Sequence, residues 1–357
     1  MSSTNKNKKK NKKKKSRKIV LLICEVLLLA ILLIVAYFVG LLNKIEYVGM
    51  DNSEAGINED LDESTLLALD GYTNIALFGL DNRSSNNYES GNSDVIMIAS
   101  INNKTKEVKL VSVYRDTCLS IGGGTYRKSN AAYSRGGAKQ AVQMLNSNLD
   151  LDITEAEMGQ INKYKKDIDK VTGMTTPELT QYGSGVHLNG TQATTYARIR
   201  KLAGDDFKRA SRQRIVLQAM LEKAKKADVG TLLSICNSVV DDISTTLSTN
   251  EILALAKDVK SYSITSTTGF PFDLTTANLN GEDTVIPAEL TNNVAELHEY
   301  MFDTTDYVPS KTVTMISDTI VQRTGVTKDS ALINTDDYNE TAGATGTDSI
   351  QKSTEGN

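Results

Sequence analysis

Acids and arginines recur in this chain beside apolar runs. Asp81 and Arg83 follow NIALFGL, Asp94 opens DVIMIASI, and Arg115 and Asp116 follow KEVKLVSV; Arg198 and Arg200 stand in TYARIR, and Arg209, Arg212 and Gln213 in GDDFKRASRQR. The chain has two histidines, His187 and His298, and no tryptophan, which speaks against a histidine triad or a multi-histidine metal site. What remains is the chemistry of carboxylates, arginines and a hard metal. Guanidinium groups crowded on inward positions repel one another unless a polyanion or matched carboxylates join them, so a phosphate-bearing ligand is the economical inference. Asp81 and Asp94 would reach such an anion through Mg²⁺, which takes one or two carboxylates together with phosphate oxygens. Arginine clamps and a divalent ion around a phosphate are the parts of phosphoryl transfer.

The elements that must position these groups follow from periodicity. Residues 74–80 form a continuous apolar run of strand length, which predicts a buried strand. Residues 94–101 and 106–113 read as two strands joined by a turn-rich connection, hence an antiparallel hairpin. Folding that hairpin brings Asp94 opposite the Tyr114, Arg115, Asp116 triplet, and a strand at 74–80 parallel to the second arm delivers Asp81 and Arg83 to the same rim. Alternation in TYARIR would put Arg198 and Arg200 on one strand face. Residues 204–227 predict a helix with Asp205 and Asp206 at its N-terminus and an apolar stripe of Val216, Leu217, Met220, Leu221 and Ala224. Arg209, Arg212 and Gln213 continue that stripe, so they are expected to face inward at the helix end that favours anions.

Alternating strand and helix patterns from residue 71 to about 227 predict a layered α/β domain large enough to bury a core. Further helical patterns, notably 250–259, followed by loops, extend it to about 300. Residues 43–70 read as an acidic spacer with one short helix near 59–69, and 301–357 as a polar tail, disordered over its last twenty or so residues.

Ahead of all this, ten lysines and arginines between Lys6 and Lys18 meet an apolar run from Ile19 to Leu42. That run is long enough for a helix to cross about 30 Å of hydrocarbon, for which roughly 20 residues suffice. The basic flank places residues 1–18 in the cytoplasm and everything after 42 outside, and no small-x-small site follows to suggest a cleaved signal peptide. Glu25, one turn inside the run, reads as a tolerated interfacial carboxyl. The chain's formal net charge of −4, set against the +10 of the first eighteen residues, leaves about −14 on the remainder, which disfavours nucleic acid as a partner. Cys24 falls in the membrane, and Cys118 and Cys236 read as small buried residues rather than a disulfide framework. Cys118 has no histidine near it in sequence to activate it as a nucleophile. Gly122 to Gly124 lacks the following GK[ST] of a P-loop, and Ser134 to Gly137 reads as the opening of a helix carrying Ala141, Val142, Leu145 and Leu149.

The ordered set NIALFGLDNR, SDVIMIAS, SVYRDT, RKSNAAYSRGG, HLNGTQATTYARIR and GDDFKRASRQR resembles the LytR-CpsA-Psr family of cell-envelope proteins over 71–226, together with the membrane anchor. The resemblance implies an α/β/α sandwich with a central mixed sheet and an apolar pocket for a prenyl chain, on a single N-terminal transmembrane helix. It also implies an extracellular Mg²⁺-dependent phosphotransferase that moves a glycopolymer phosphate from an undecaprenyl diphosphate carrier to peptidoglycan, with a possible pyrophosphatase side activity. By the same resemblance Asp81 and Asp94 would hold Mg²⁺. Arg83, Arg115, Arg198, Arg200, Arg209, Arg212 and Gln213, with Lys128 in a second tier, would bind the diphosphate, and Arg115 and Asp116 would assist the acceptor hydroxyl or the developing charge.

The chain departs from the family pattern in three places. Gly91 and Asn92 precede Ser93 where an arginine is usual, Tyr114 replaces a proline, and 171–185 lacks a double-glycine valine segment. The first departure keeps open a non-catalytic lipid-diphosphate binder or scaffold. An envelope-linked transcription regulator is a third reading, against which the expected topology argues.

Overall fold

The structure is a computed structural model and describes residues 37, 40–50, 52–81, 91–160, 188–198, 205–240, 243–330 and 333–335. Strand β2 (Tyr72–Asp81) pairs antiparallel with β3 (Asn92–Asn102), which turns back into β4 (Glu107–Val113). The turn forms because Asn102 Oδ1 accepts from the amides of Lys104 and Thr105 at 3.0 and 2.9 Å, giving the chain a local alternative to the ladder. β2 and β4 therefore run the same way, as the rim argument requires. On one side β9 (Ser263–Phe270) joins β4 in parallel. On the other, β2 pairs in parallel with β7 (Glu155–Gln160), β7 antiparallel with β8 (Ile243–Thr245), and β8 in parallel with β1 (Glu46–Tyr47). The result is a mixed seven-stranded sheet, order β1-β8-β7-β2-β3-β4-β9.

Both faces of this sheet are covered, which explains why NIALFGL is apolar without alternation. Ala76, Phe78, Leu80, Ile96, Ile98, Val111 and Val113 share a core with α2 (Ala131–Leu149), α7 (Leu290–Phe302) and α8 (Lys311–Thr324). On the opposite face Ile75, Ala99, Ile101 and Leu110 pack with Leu217 of α4 (Asp205–Lys226) and Leu255 of α6 (Thr249–Lys257). Between α4 and β8 lies α5 (Val229–Val239). The serine-arginine-glycine-glycine segment opens the stretch of α2 that carries Ala141, Val142, Leu145 and Leu149, as expected: non-helical backbone at Gly136 and Gly137, the latter at φ 64°, separates that stretch from a short helical piece starting at Ala131. The triple glycine makes the turn between β5 (Cys118–Ser120) and β6 (Tyr126–Lys128), all three at positive φ.

Three boundaries differ from the sequence reading. The supposed spacer is part of the domain: Ala55 and Leu69 are in the core, β1 extends the sheet, and α1 (Glu63–Asp70) is capped by Asp62, which accepts from Thr65 N at 2.7 Å. The expected loops after residue 260 are β9, β10 (Asp273–Leu279) and β11 (Glu282–Pro287); β10 and β11, with β12 (Ile333–Asn334), make a second sheet. The supposed tail contributes Val313, Ile316, Ile320 and Val326 to the core. Threonine-rich composition masked these elements, because a helix needs only one apolar stripe to be recruited. A buried carboxylate that follows α2 fastens the first and the last of these regions to the domain. Asp150 accepts from Asn58 Nδ2 at 2.6 Å, from the Tyr307 hydroxyl at 3.0 Å and from Ser310 N at 2.8 Å.

Among the described residues no helix is long and apolar enough to cross a membrane. The run 19–42, with Cys24 and Glu25, lies outside the described residues except at 37 and 40–42.

Candidate functional site

The rim where β2 ends and β3 begins is shaped by a β-bulge. Gly79 pairs with Val95 and Leu80 with Ser93, so Asp94 has no cross-strand partner. In an uninterrupted ladder Asp94 would face Leu80 on the buried side of the sheet. The extra residue instead puts Ser93 there, fully buried, and re-aims Asp94 toward an open cavity. Its backbone carbonyl, released from the ladder, accepts from Arg209 Nη2 at 3.0 Å.

Arg115 sits at the centre of the acids. Its Nη1 donates to Asp94 Oδ1 at 2.6 Å and its Nε to Asp206 Oδ2 at 2.7 Å, with Asp116 Oδ2 at 3.5 Å. Burial works against the guanidinium charge, but the pull of Asp206 and then Asp94 outweighs it and raises the Arg115 pKa. Lys128 Nζ pairs with Asp116 Oδ1 at 3.0 Å, and Arg209 Nη1 with Asp206 Oδ1 at 3.3 Å.

These groups line a cavity of about 1020 Å³ whose walls include Asp94, Arg115, Asp116, Lys128, Arg198, Arg209 and Gln213. Five cations, Arg115, Arg127, Lys128, Arg198 and Arg209, share its walls with four carboxylates, Asp94, Asp116, Glu282 and Asp283. Arg198 Nη1 and Arg209 Nε are buried donors with no acceptor among the described residues. A narrow cleft continues between the sheet and α4 past Val95, Ile96, Val113 and Ala210, with about 10 Å³ of room, enough for one water.

Tertiary structure supplied several walls that sequence reasoning did not. Asp206 was read only as an acid at a helix start, although its i,i+3 spacing to Arg209 signals the pair. Arg214 is fully buried in α4 and Met220 is 58% exposed, so the buried stripe runs through Phe207, Ala210, Arg214 and Leu217 rather than through Met220. Arg212 faces inward as expected, 2% exposed, but it is not among the cavity walls. The β10–β11 tip contributes Gly281, Glu282 and Asp283, held over the site by Val285 N donating to Asp116 O at 2.9 Å and by Arg127 with Glu282 at 3.1 Å. No local motif announces that contact.

TYARIR is not a strand at its start. Asn189 and Gln192 form a reciprocal capping box that launches α3 (Gly190–Tyr196), and Arg198 follows in the turn after it. Arg83, Arg200 and the segment 171–185 lie outside the described residues, as do the side chains of Asp81 and Cys236. Tyr114, where a proline was expected, is buried, stacks edge-on against Phe207 at 4.6 Å and hydrogen-bonds Thr335, so it secures the start of α4 beside the site. Its hydroxyl lies against Gly269, where any side chain would collide with it. Cys118 is a free, buried thiol whose pKa burial pushes up, which disfavours the thiolate.

Among the described residues no cluster of three or more His, Cys, Asp or Glu is gathered to hold a metal. A hard cation with few protein ligands nevertheless fits this rim. Asp94 is a carboxylate aimed into the cavity, and Asp81 ends the adjacent strand, paired with Asn92.

A family model, LytR_cpsA_psr, matches residues 45–296. The polyisoprenyl-teichoic acid–peptidoglycan teichoic acid transferase TagU of Enterococcus faecalis (strain ATCC 700802 / V583) is 30% identical over 198 residues, 52% of this chain and 65% of that protein. The chain therefore spans just under two thirds of that relative's length. Among solved structures, TagT bound to LIIa-WTA superposes with a TM-score of 0.53 at 20% identity, covering 72% of this chain and 100% of that one. B. subtilis TagV gives 0.51 at 24% identity, covering 67% and 98%. These two likenesses establish a shared fold.

Proposed function

This chain belongs to the LytR-CpsA-Psr family, and from that premise we propose that it is a membrane-anchored phosphotransferase acting outside the cell membrane. It takes a glycopolymer phosphate from an undecaprenyl diphosphate carrier and joins it to a hydroxyl of peptidoglycan. The name of the Enterococcus faecalis relative supports an anionic, teichoic-acid-like polymer as the cargo. The carrying observation is the cavity itself, where Arg115, Lys128, Arg198 and Arg209, from separate elements, converge beside Asp94 and Asp116. The basic block and apolar run at the N-terminus support the anchored, N-inside topology.

Arg198 and Arg209, with donors to spare, bind the diphosphate oxygens, and Arg200 and Arg83 are assigned to the same task from sequence. Gln213 orients the anion by a neutral hydrogen bond. Arg115, pinned by Asp94 and Asp206, is preorganised to stabilise charge that develops as the bond to the carrier breaks. The acceptor hydroxyl attacks the sugar-linked phosphorus, undecaprenyl phosphate leaves, and Asp116 is placed to take the hydroxyl proton. Asp94 and Asp81 would hold Mg²⁺, which would neutralise phosphate charge that the arginines leave unmatched. The prenyl chain is assigned to the cleft beside Val95 and Ala210, which has to widen by movement of α4.

Binding without transfer is a second reading. It is favoured by Asn92, which lines the cavity two residues before Asp94, where family members often carry an arginine. Incubating the protein with a prenyl-diphosphate-linked sugar, peptidoglycan fragments and Mg²⁺ separates the two. Acceptor-linked phosphate supports the transferase, whereas tight binding with no product supports the binder.

A further inference from the structure

The junction between the apolar run and the domain has almost no slack, and it meets the sheet at a telling place. Residues 40–42 are the end of a helix, and Lys44 N to Leu41 O and Ile45 N to Leu42 O, both 3.1 Å, fold the connection tightly before β1 starts at Glu46. Register then fixes which end of the sheet β1 enters. Glu46 pairs with Ser244, Ser244 with Met158, Met158 with Phe78 and Phe78 with Ile96. β1 therefore runs down from the rim where β2 ends at Asp81 and β3 begins at Asn92.

We propose that this rim is the surface that lies against the outer face of the bilayer, so that the cavity opens toward lipid headgroups. The inference rests on the anchored-transferase reading and adds an orientation to it. Four strand spacings of about 4.8 Å separate β1 from β3, placing Asp94 roughly 19 Å sideways from the point of entry. The connection from Leu42 to Glu46 spans at most about 14 Å even if fully drawn out. Catalytic groups are thus held within about 25 Å of the place where the chain leaves the membrane. In the inverted orientation the chain would have to run the length of the sheet, roughly 35 Å for the eleven residues of β3. At the junction Lys44 is exposed and Tyr47 is 60% exposed, a cation and an aromatic ring suited to headgroup phosphates and the interface, with exposed Glu46 between them. A carrier whose diphosphate emerges at that surface meets the arginines at the mouth of the cavity, with the prenyl cleft beside them.

Inserting twelve Gly and Ser residues between Asn43 and Lys44 of the full chain, in phosphatidylglycerol vesicles, tests this. Two donors are compared: an undecaprenyl-diphosphate-linked disaccharide in the same vesicles, and a water-soluble analogue with two isoprene units. The insertion is expected to lower transfer from the membrane donor about tenfold, as effective concentration falls with tether length, and to leave the soluble donor unchanged. Equal membrane-donor rates in the two proteins overturn the inference. So does loss of both rates on insertion, because the junction would then act through the fold rather than through distance. If the parent chain turns over neither donor, the transferase reading fails and this inference with it.

Discussion

Arg115 reaches Asp94 across 2.6 Å only because Asp94 is the unpaired residue of a bulge. One residue fewer in β3 would bury that carboxylate beside Leu80. A backbone irregularity thus converts a core position into a site position, and the released carbonyl of Asp94 ties in Arg209 as well.

Replacing Asp94 by Asn keeps the side chain's size and removes its charge. Transfer is expected to fall by about 100-fold or more, with Mg²⁺ titrating at higher concentration, while the thermal midpoint changes little. Rates across a Mg²⁺ series, beside a melting curve, check both parts. Full activity in Asp94→Asn would remove this residue from the metal's ligands.

Arg198 and Arg212 separate binding from folding. Arg198→Ala removes a cavity wall and should weaken prenyl-diphosphate binding by roughly 1.5–3 kcal/mol, measurable by calorimetry. Arg212→Ala empties a buried position away from the cavity and should instead lower stability by roughly 1–3 kcal/mol in denaturant titration. The reverse pattern would mean that the two arginines have been assigned to each other's roles.

Truncation locates the end of the domain. A chain ending after Thr335 keeps α8 and the Tyr114–Thr335 contact, and should melt cooperatively like the full chain. A chain ending after Phe302 loses the buried Val313, Ile316 and Ile320 at about 1.5–3 kcal/mol each, a loss on the scale of a whole domain's stability. Soluble, cooperative folding of that shorter chain would show that α8 is dispensable.

Glu157, on β7, has its pKa pushed up to about 7 by burial, against the opposing hydrogen bond from Thr245 at 2.8 Å. Since its folded pKa exceeds the unfolded value near 4.5, the native state holds the extra proton, and stability is lost as pH rises from about 4.5 to 7. Glu157→Gln abolishes that loss, so its stability relative to the parent should grow by up to about 3 kcal/mol between pH 4.5 and 8. His298, pushed down to about 4 by burial, acts in the opposite sense: unfolding takes up a proton below pH 6.5, so stability is lost as pH falls toward 4. The parent's own pH profile should therefore be flatter than that of Glu157→Gln. A difference between the two proteins that does not vary with pH would show that Glu157 titrates normally.

Local chemistry determined a good deal of this protein from sequence. The buried strand, the hairpin turning at Asn102, the arginine-bearing helix, the rim shared by Asp94 and Arg115, and the ordered motifs that mark the family are each written in short stretches whose periodicity or turn residues act on near neighbours. Residue-to-residue pairing was settled only in three dimensions. The bulge at Asp94 depends on register between two strands, and the capping box that puts Thr195 and Tyr196 at the end of a helix rather than in a strand lies before both of them. Arg214 is buried and Met220 exposed because β4 and β9 choose which side of α4 they cover. Segments 43–70 and 301–330 joined the core through long-range contacts on Asp150 that composition does not encode. Periodicity reports which face of an element is apolar, but only packing against a distant partner decides which polar groups are drawn in with it.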